Sequence, residues 1–295
     1  MTKTKIEWTD ESWNPLRALN QATGKVGWHC EHASAGCGVP NHGGCYAEAF
    51  NKRLGTRLPF KPGHRDDIEM FLDEEMLQMA LHWRRPRMIF VCSMTDLFAD
   101  FVKDEWIDAV FSVAKQCPRH TFQILTKRPQ NIRKRLPPDW GDGYPNVWLG
   151  TSAEDQQWFD RRWRILQTIP AAVRFISYEP AIGPLRPPKR GPFPDWLISG
   201  GESGPRARPL DPQWIRDIIA DCRRYGVAPF HKQWGTYRNN PLVTEQRLSV
   251  KNAKRADPFA KGGALVDGEL VREFPTIKEA KALAQADADR KELVP

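Results

Sequence analysis

Short apolar runs recur along the chain and alternate with longer amphipathic segments. Each run has the length and β-branched character of a buried strand and ends in polar residues or glycine. The runs are MIFVCSMTD (88–96), TFQILTKRP (121–129), NVWLGTSAE (146–154), VRFISYEP (173–180), DWLISGGESG (195–204) and APFHKQWG (228–235). They predict six strands, and a seventh is expected near KIEWTD at the start of the chain.

Helix-like segments lie between most of these runs. They are DEWIDAVFSVAKQC (104–117), DQQWFDRRWRILQTI (155–169) and DPQWIRDIIADCRRYG (211–226), the last of which begins with Asp-Pro and ends at glycine. Strands that alternate with helices favour parallel β/α units. We therefore expect an α/β protein built as a partial or complete parallel β/α barrel, with a doubly wound open sheet as the alternative.

The chain changes character after residue 235. SVKNAKRADPFAKGG is basic and loop-like, and GALVDGELVREFP is typical of a hairpin because Asp267-Gly268 is a favoured two-residue turn. TIKEAKALAQADADRKEL fits a short helix or a tail. These patterns predict a barrel over residues 1–235 and a short C-terminal extension over residues 236–295.

Every predicted strand ends in side chains that can do chemistry. In a β/α barrel the carboxyl ends of the strands form one face, and that face carries the active site. Six polar strand ends therefore predict a ring of functional groups around one mouth, with Asp96, Lys127 and Glu179 as candidate catalytic residues. Salt bridges of Lys127 or Lys232 with Glu179 or Glu202 are the structural alternative. The polar ends are Ser93, Thr95, Asp96; Thr126, Lys127, Arg128; Thr151, Ser152, Glu154; Tyr178, Glu179; Ser199 to Glu202; and His231, Lys232, Gln233.

The stretch HCEHASAGCGVPNHGGCYAE (29–48) holds three of the six cysteines, spaced Cys30-x6-Cys37-x7-Cys45. A zinc site prefers four ligands and C-x2-C pairs, so zinc here would need a histidine from the set His29, His32 and His42. Three thiolates instead suit a [4Fe–4S] cluster with one open iron. Spacing alone leaves zinc, a cluster and chance open. The loop follows the first predicted strand and leads into a helix, CYAEAFNKRLG, which places it at the same mouth and favours the cluster.

Composition narrows the class of protein. Hydrophobic residues make up 40% of the chain, which is typical of a globular protein. The formal charge of +8 and the twelve tryptophans are compatible with a nucleic-acid partner. No apolar run is long enough for a membrane span, and MTKTKIEWTD does not have the apolar stretch of a signal peptide. We expect a cytoplasmic protein without membrane contact, in which thiols stay reduced and disulfides are disfavoured.

Eight blocks resemble, in sequence order, a family first noted among phage proteins, the gp-thirty-seven/gp-sixty-eight family, which is radical-SAM-like. The resemblance covers about residues 5–275, and the Cys-Tyr end of the cysteine loop is distantly similar to that of spore photoproduct lyase, which repairs a thymine dimer in DNA. The family usually shows Cys-x6-Cys-x2-Cys, and here GVPNH lengthens the second gap to seven residues. The blocks are IEWTDESWNP, CEHASAGC…CYAE, RRPRMIFVCSMTDLF, HTFQILTKRP, NVWLGTSAE, VRFISYEPAIGPL, DWLISGGESGPRARPL and PFHKQWG.

The resemblance implies a barrel of radical SAM type in which Cys30, Cys37 and Cys45 hold a [4Fe–4S] cluster. S-adenosylmethionine (SAM) would chelate the open iron, and an electron from a donor such as flavodoxin or ferredoxin would release a 5′-deoxyadenosyl radical. Gly200-Gly201-Glu202 looks like the Gly-Gly-Glu that such proteins use near the SAM amino group, although it follows a later strand than usual. The candidate cofactor-binding residues are Tyr46, Ser93, Thr95, Thr151, Ser152, Glu154, Gly200, Gly201 and Glu202.

These observations lead to a main functional hypothesis and two alternatives. The first is a radical SAM enzyme that acts on nucleic acid or a nucleotide, by base modification or photoproduct-type repair. The second is a zinc-stabilised nucleic-acid-binding protein without radical chemistry. The third is a small-molecule β/α barrel enzyme in which the cysteine loop is only a structural clip.

Overall fold

A computed structural model describes residues 4–39, 43–188 and 191–276. The described strands are β1 Glu11–Trp13, β2 Leu16–Asn20, β3 Val26–Gly27, β4 Ile68–Leu72, β5 Met88–Val91, β6 Thr121–Thr126, β7 Val147–Ser152, β8 Val173–Tyr178, β9 Trp196–Gly200 and β10 Ala228–Gln233. The described helices are α1 Tyr46–Leu54, α2 Glu74–His82, α3 Asp104–Gln116, α4 Gln156–Leu166, α5 Pro212–Arg224, α6 Pro241–Thr244 and α7 Val250–Ala256. None of these helices combines the length and apolar character needed to cross a bilayer.

Seven strands form one all-parallel sheet in the order β1-β5-β6-β7-β8-β9-β10. From β5 to β10 each strand pairs with the next strand in the chain, as expected when each crossover is a right-handed β/α unit. Within the described residues the two edge strands, β1 and β10, pair only on one side with the sheet, so the curved sheet stays open. The predicted partial parallel β/α barrel is confirmed.

The two faces of the sheet bury different side chains, because successive residues of a strand point to opposite faces. The convex face packs against the helices through one large apolar cluster that includes Ile89, Phe122 and Leu149 of the strands with Val110 and Ile218 of the helices. The concave face holds a second, aromatic cluster, which we call the aromatic plug: Trp8, Phe90, Trp148, Val173, Phe175, Trp196, Ile198 and Phe230. Most plug members lie towards the amino-terminal ends of their strands: Trp148, Val173, Phe175 and Trp196 are among the first three residues of β7, β8 and β9.

The start of the chain differs from the prediction. The first strand is β1 rather than KIEWTD, and Trp8 of that segment packs instead into the aromatic plug, 4.7 Å from the ring of Phe90. A small antiparallel sheet, β3-β2-β4, follows in the chain, with the cysteine loop and α1 inserted between β3 and β4. Its strands are short and carry mixed residues, which is why periodicity alone did not predict it.

The C-terminal extension covers the free edge of β10. The backbone amide of His231 donates to the oxygen of Val271 at 2.8 Å, and that of Glu273 donates to Pro229 at 2.9 Å. Such pairing protects an edge strand from other chains. The Asp267-Gly268 turn is confirmed, since both residues have positive φ (50° and 87°) as a primed two-residue turn requires. The predicted terminal helix or tail lies, from residue 277, outside the described residues.

Candidate functional site

The cysteine loop lies across the carboxyl edge of the sheet and is held there at two points. Ser34 Oγ donates to Glu154 Oε1 at 2.5 Å, just beyond β7. The backbone amide of Gly44 donates to Glu202 Oε1 at 3.3 Å, just beyond β9. We call these two contacts the loop clamps. They place the loop over the edge at which the polar strand ends meet.

Glycine is required where the loop meets each clamp. A Cβ added at Gly36 would overlap the side chain of Glu154, and one added at Gly43 would overlap Glu202 Oε1. Gly43 also has a φ of 66°, a left-handed value that favours glycine. The small residues of the loop thus allow its backbone to touch both carboxylates.

Glu154 is fully buried and pairs with two cationic side chains. Lys127 Nζ donates to Oε1, and Arg162 Nη1 donates to Oε2 at 3.1 Å. Burial by itself would raise the pKa of Glu154, but Lys127 and Arg162 outweigh it and hold that pKa below its ordinary value. The carboxylate is therefore charged at neutral pH, and its oxygens are engaged by protein groups.

Glu202 forms the second clamp with a different set of donors. Arg208 binds it through Nε at 2.9 Å, Nη2 at 2.7 Å and its backbone amide at 3.0 Å. Burial would raise the pKa of Glu202, and Arg208 lowers it below the ordinary value. A bidentate guanidinium fixes the direction of the carboxylate that it binds. Arg208 thus orients Glu202 so that it accepts the hydrogen bond from the backbone amide of Gly44.

Gly200 and Gly201 are close to protein groups. A Cβ on Gly200 would lie 2.8 Å from Glu179 Oε1, and one on Gly201 would overlap the backbone oxygen of Trp234. Close packing of protein groups therefore accounts for glycine at both positions. In the described structure, the approaching groups are a strand-end carboxylate and the backbone that follows β10.

The three loop cysteines are free thiols. Cys30 and Cys45 are half-buried and pack against a small apolar cluster of Ala47, Phe60 and Met94, whereas Cys37 is 9% exposed at the end of a 3-10 turn. Burial raises the pKa of Cys30, and it raises the pKa of Cys45 from 9.0 to about 11. As isolated groups, Cys30 and Cys45 are therefore protonated at neutral pH.

Cys45 occupies a special position because it caps the N-terminus of α1. The backbone amides of Ala47 and Glu48 act against burial and favour the thiolate of Cys45, so its pKa rises less than that of Cys30. A helix N-terminus carries partial positive charge and stabilises an anion. The start of α1 thus favours the thiolate of Cys45, and the charge of Arg128 favours that of Cys30.

The histidines of the loop have other partners. His29 is buried edge-on against Phe101, with ring centroids 5.1 Å apart, and His32 Nε2 lies 2.7 Å from Glu48 Oε2. His42 lies outside the described residues. In the part of the chain that the structure describes, no three His, Cys, Asp or Glu side chains converge as ligands of one metal ion.

Asp96 joins the ends of β5 and β6. Its Oδ1 accepts from Thr126 Oγ1 at 2.7 Å, and its Oδ2 accepts from the amide of Lys127 at 3.0 Å and from Arg128 Nη1 at 3.1 Å. Next to it, Thr95 Oγ1 donates to the backbone oxygen of His29. Asp96 thereby ties the ends of β5 and β6 together, and Thr95 ties the end of β5 to His29 of the cysteine loop.

Tyr46 brings α1 to the end of β5. Its hydroxyl donates to the backbone oxygen of Ser93 at 2.5 Å, while 57% of its surface remains exposed. Ser93 Oγ in turn lies 3.2 Å from Asn14 Oδ1, which follows β1. An anchored hydroxyl with a free ring face gives an aromatic surface beside the thiols that a flat ligand can use.

Thr151 and Ser152 end β7 and are buried. Thr151 Oγ1 donates to the backbone oxygen of Thr126 at 2.7 Å, and the backbone oxygen of Ser152 accepts from Arg162 Nη1 at 2.9 Å. These contacts fix the end of β7 from which Glu154 projects.

A further ion pair, between Lys232 and Glu179, lies inside the concave face. Lys232 Nζ is 3.0 Å from Glu179 Oε1, and Ser177 Oγ is 3.3 Å from Glu179 Oε2. The predicted Lys232–Glu179 salt bridge is therefore present. Glu7 faces the same pair. Burial raises the pKa of Glu7, Lys232 opposes that rise, and Glu7 Oε2 has no partner within the described residues.

Comparison with known families places the chain in one of them. The family model with the description Protein of unknown function (DUF5131) matches residues 3–275. The chain belongs to this family. No curated protein and no solved structure matches it.

Sequence reasoning missed several side chains of this DUF5131 family member, among them Glu7, Asn14 and Arg162. The sequence did place Arg162 on the buried face of α4, because it shares the helical spacing of Phe159, Trp163 and Leu166. An arginine on a buried helical face needs an anionic partner, and Glu154 is that partner. Asn14 follows a three-residue strand, and Glu7 precedes the first described strand, so neither had a comparable signal.

Proposed function

We propose that this chain is a radical SAM-type enzyme that holds a [4Fe–4S] cluster on Cys30, Cys37 and Cys45 and acts on nucleic acid or a nucleotide. The observation that carries the proposal is the pair of loop clamps. They hold a three-thiol loop over the carboxyl edge of a parallel half-barrel, which is the edge that carries chemistry in β/α barrels. The resemblance to radical-SAM-like sequences points the same way.

The donor set fits such a cluster. Cys30, Cys37 and Cys45 are all free and grouped in one loop, and the clamps use none of their sulfurs. Each thiolate of a cluster binds a different iron, so the three sulfurs need not converge on one point as ligands of a single zinc ion must. Three thiolates leave one iron open for a small ligand.

A cluster of this kind, with SAM on the open iron, supplies a 5′-deoxyadenosyl radical. The chain's own residues prepare the site. Cys30 and Cys45 have to release their protons on loading, and the amides at the start of α1 favour the thiolate of Cys45. Cys37 is buried and Cys30 and Cys45 are half-buried, which limits access of water and oxidants to the thiols. The exposed ring of Tyr46 offers the adenine a packing surface beside the loop.

The strand-end residues divide into two groups by their contacts. Asp96, Glu154 and Glu202 have their oxygens engaged by protein donors, so we assign them to positioning of the loop and strand ends. Glu179 and Lys232 form a pair inside the concave face, with Glu7 beside them. Burial raises the pKa of Glu7 above its ordinary value, so this carboxyl keeps its proton to a higher pH than an exposed glutamate does.

The choice of nucleic acid as substrate class rests on charge. The chain carries a formal charge of +8, and a basic surface favours polyanions. Base modification or photoproduct-type repair is the reaction class that joins a radical to such a substrate. Reduction of the cluster requires a donor such as flavodoxin or ferredoxin, and the six free thiols favour a reducing compartment, the cytoplasm.

The test is reductive cleavage of SAM. Protein reconstituted anaerobically with iron and sulfide is reduced with dithionite, and 5′-deoxyadenosine is measured by liquid chromatography. We expect the wild type to form it, Cys37→Ala to lose this activity, and Cys117→Ala, a core thiol outside the loop, to retain it.

Two results would contradict the proposal. One is equal 5′-deoxyadenosine formation by the wild type and Cys37→Ala. The other is a colourless protein that contains zinc and does not cleave SAM, which would favour a zinc-stabilised nucleic-acid-binding protein.

A further inference from the structure

A cavity of about 330 Å³ opens beside the cysteine loop. Its volume lies in the range of small-molecule sites, roughly 300–1,000 Å³. It lies between the strand end of β6 and helix α4, and four of the side chains that line it are cationic: Lys127, Arg128, Arg161 and Arg162. Ala33 of the cysteine loop forms part of its wall, so the cavity and the loop share a border.

The cavity carries more positive than negative charge. Glu154 is shared by Lys127 and Arg162, and Asp96 pairs with Arg128 at 3.1 Å. Arg161, on the exposed side of α4, forms no ion pair with any described residue. Four cations thus face two carboxylates, and the excess is available to an anion.

Arg162 has donors that the protein leaves unused. Its side chain is 4% exposed, and only Nη1 donates, to Ser152 and to Glu154. Its Nε and Nη2 are buried and have no partner among the described residues. Unmade hydrogen bonds of a buried charged group are costly, so an acceptor in the cavity would relieve them.

Trp158 fixes the direction of the two guanidinium groups. The guanidinium carbon of Arg162 lies 4.2 Å from the centre of the indole ring, and that of Arg161 lies 5.4 Å from it. Cation–π contacts of this length hold a guanidinium in place without using its N–H donors. Both arginines are therefore oriented before a ligand arrives.

We infer that this cavity is a phosphate-binding subsite. Planar guanidinium groups with free donors match the oxygens of phosphate in pairs. The inference rests on the proposed function and deepens it, because a phosphate bound here would lie next to the cysteine loop. The phosphate can belong to a nucleic-acid strand or to a free nucleotide, since the recognising chemistry is the same.

Fluorescence anisotropy with the full-length chain tests the subsite. The probes are a labelled single-stranded oligothymidylate of roughly twelve nucleotides, within the span of known single-strand sites, and the same strand with an uncharged methylphosphonate backbone. Thymidine monophosphate serves as competitor. The matched variants are Arg161→Gln and Arg164→Gln, which remove one charge each from exposed positions of α4, inside and outside the cavity.

We expect Arg161→Gln to weaken binding of the charged strand about tenfold and to lower the slope of its salt dependence by about one. Arg164→Gln should stay close to the wild type, and the uncharged strand should bind weakly to all three proteins. Arg162→Lys, which keeps the charge beside Glu154 but removes Nε and Nη2, should also weaken binding. Equal losses in Arg161→Gln and Arg164→Gln, or no loss in Arg161→Gln, would overturn the subsite.

The competitor separates the two sources of phosphate. Displacement of the strand by the monophosphate at comparable concentration assigns the subsite to free nucleotides, and resistance to it assigns the subsite to a strand. Binding is measured without SAM, with and without loaded iron. Wild-type binding by Arg161→Gln in the iron-loaded enzyme would overturn the subsite alone. Arg161-dependent binding by a protein that takes up no cluster on reconstitution would overturn the radical function alone.

Discussion

The same strands form both halves of the concave face, but the two halves differ in the chemistry of their side chains. The amino half holds the aromatic plug, in which the ring centres of Trp8, Phe175 and Trp196 lie 5.6 to 6.4 Å apart. The carboxyl half holds Glu179, Lys232 and the two clamp carboxylates. The same strands run through both halves, and the residue types change along them, with a shift of register in β10 between His231 and Gln233. A parallel half-barrel can therefore gain its stability at one end and keep the other end for ligands.

The two halves contribute to the stability of the fold through different interactions. Burial of an apolar side chain contributes roughly 1.5–3 kcal/mol, so the plug is a direct source of stability. A buried ion pair loses most of its attraction to desolvation, but removal of one partner is strongly destabilising. The pairs around Glu154 and Glu202 thus contribute little net stability while fixing the geometry of the loop. Substitutions can therefore distinguish the residues that stabilise the fold from those that position the cysteine loop.

The largest effect is expected from Trp196→Ala in the plug. Trp196 is fully buried, contacts five aromatic neighbours and donates to the backbone oxygen of Glu273 at 2.9 Å. Its loss should lower the free energy of unfolding by about 3–5 kcal/mol. Urea denaturation measures this, with the exposed Tyr225→Ala as control. A loss in Trp196→Ala no larger than in the control would contradict the role of the plug.

Next in size is Glu154→Gln at the first clamp. The amide keeps the shape but leaves Lys127 and Arg162 without their counter-charge, which should lower the free energy of unfolding by about 3 kcal/mol. Because Ser34 also loses a charged acceptor, we expect faster reaction of Cys37 with a thiol reagent in the metal-free protein.

The control for this substitution is Glu245→Gln, which breaks an exposed pair with Arg216. An exposed pair contributes less than about 1 kcal/mol. If Glu154→Gln is as stable as Glu245→Gln and Cys37 reacts no faster, the clamp does not hold the loop.

The smallest effect is the dependence of stability on pH. The pKa values of Glu154 and Glu202 lie below their ordinary value of 4.5, so their contribution is present above pH 4.5 and lost as pH falls through the folded-state pKa values. The pKa of Cys45 is raised from 9.0 to about 11, so its contribution is present below pH 9.0 and lost as pH rises towards 11. Melting temperatures of the metal-free protein should fall on both sides of this range. In a variant that carries both Glu154→Gln and Glu202→Gln, the melting temperature should fall less steeply as the pH is lowered below 4.5. An equally steep fall would contradict the assignment.

The sequence predicted the part of the fold that repeats. Strands β5 to β10 and helices α3, α4 and α5 lie where the apolar runs and amphipathic segments indicated, because long periodic segments carry a strong local signal. The ring of polar strand ends followed from the parallel topology. Three-residue β1 and the small sheet β3-β2-β4 had no such signal, because their order comes from tertiary contacts.

The internal partners of the site could not be read from the sequence. Ser34 and Glu154 are separated by 120 positions, and Gly44 and Glu202 by 158, so no local pattern joins them. Glu154 and Glu202 were predicted as cofactor-binding residues, and in the described structure they bind the cysteine loop. Their action on a cofactor through that loop stays a prediction. The same holds for the direct roles of Thr151, Ser152, Gly200 and Gly201.

The central claim is that the three loop thiols hold an iron–sulfur cluster. The most direct measurement is the iron, acid-labile sulfide and zinc content of anaerobically purified protein, compared with a Cys30→Ala, Cys37→Ala, Cys45→Ala triple variant and with Cys117→Ala. We predict roughly four irons and four sulfides per chain in the wild type and in Cys117→Ala, and none in the triple variant. One zinc with no sulfide in the wild type, or iron that survives in the triple variant, would contradict the account.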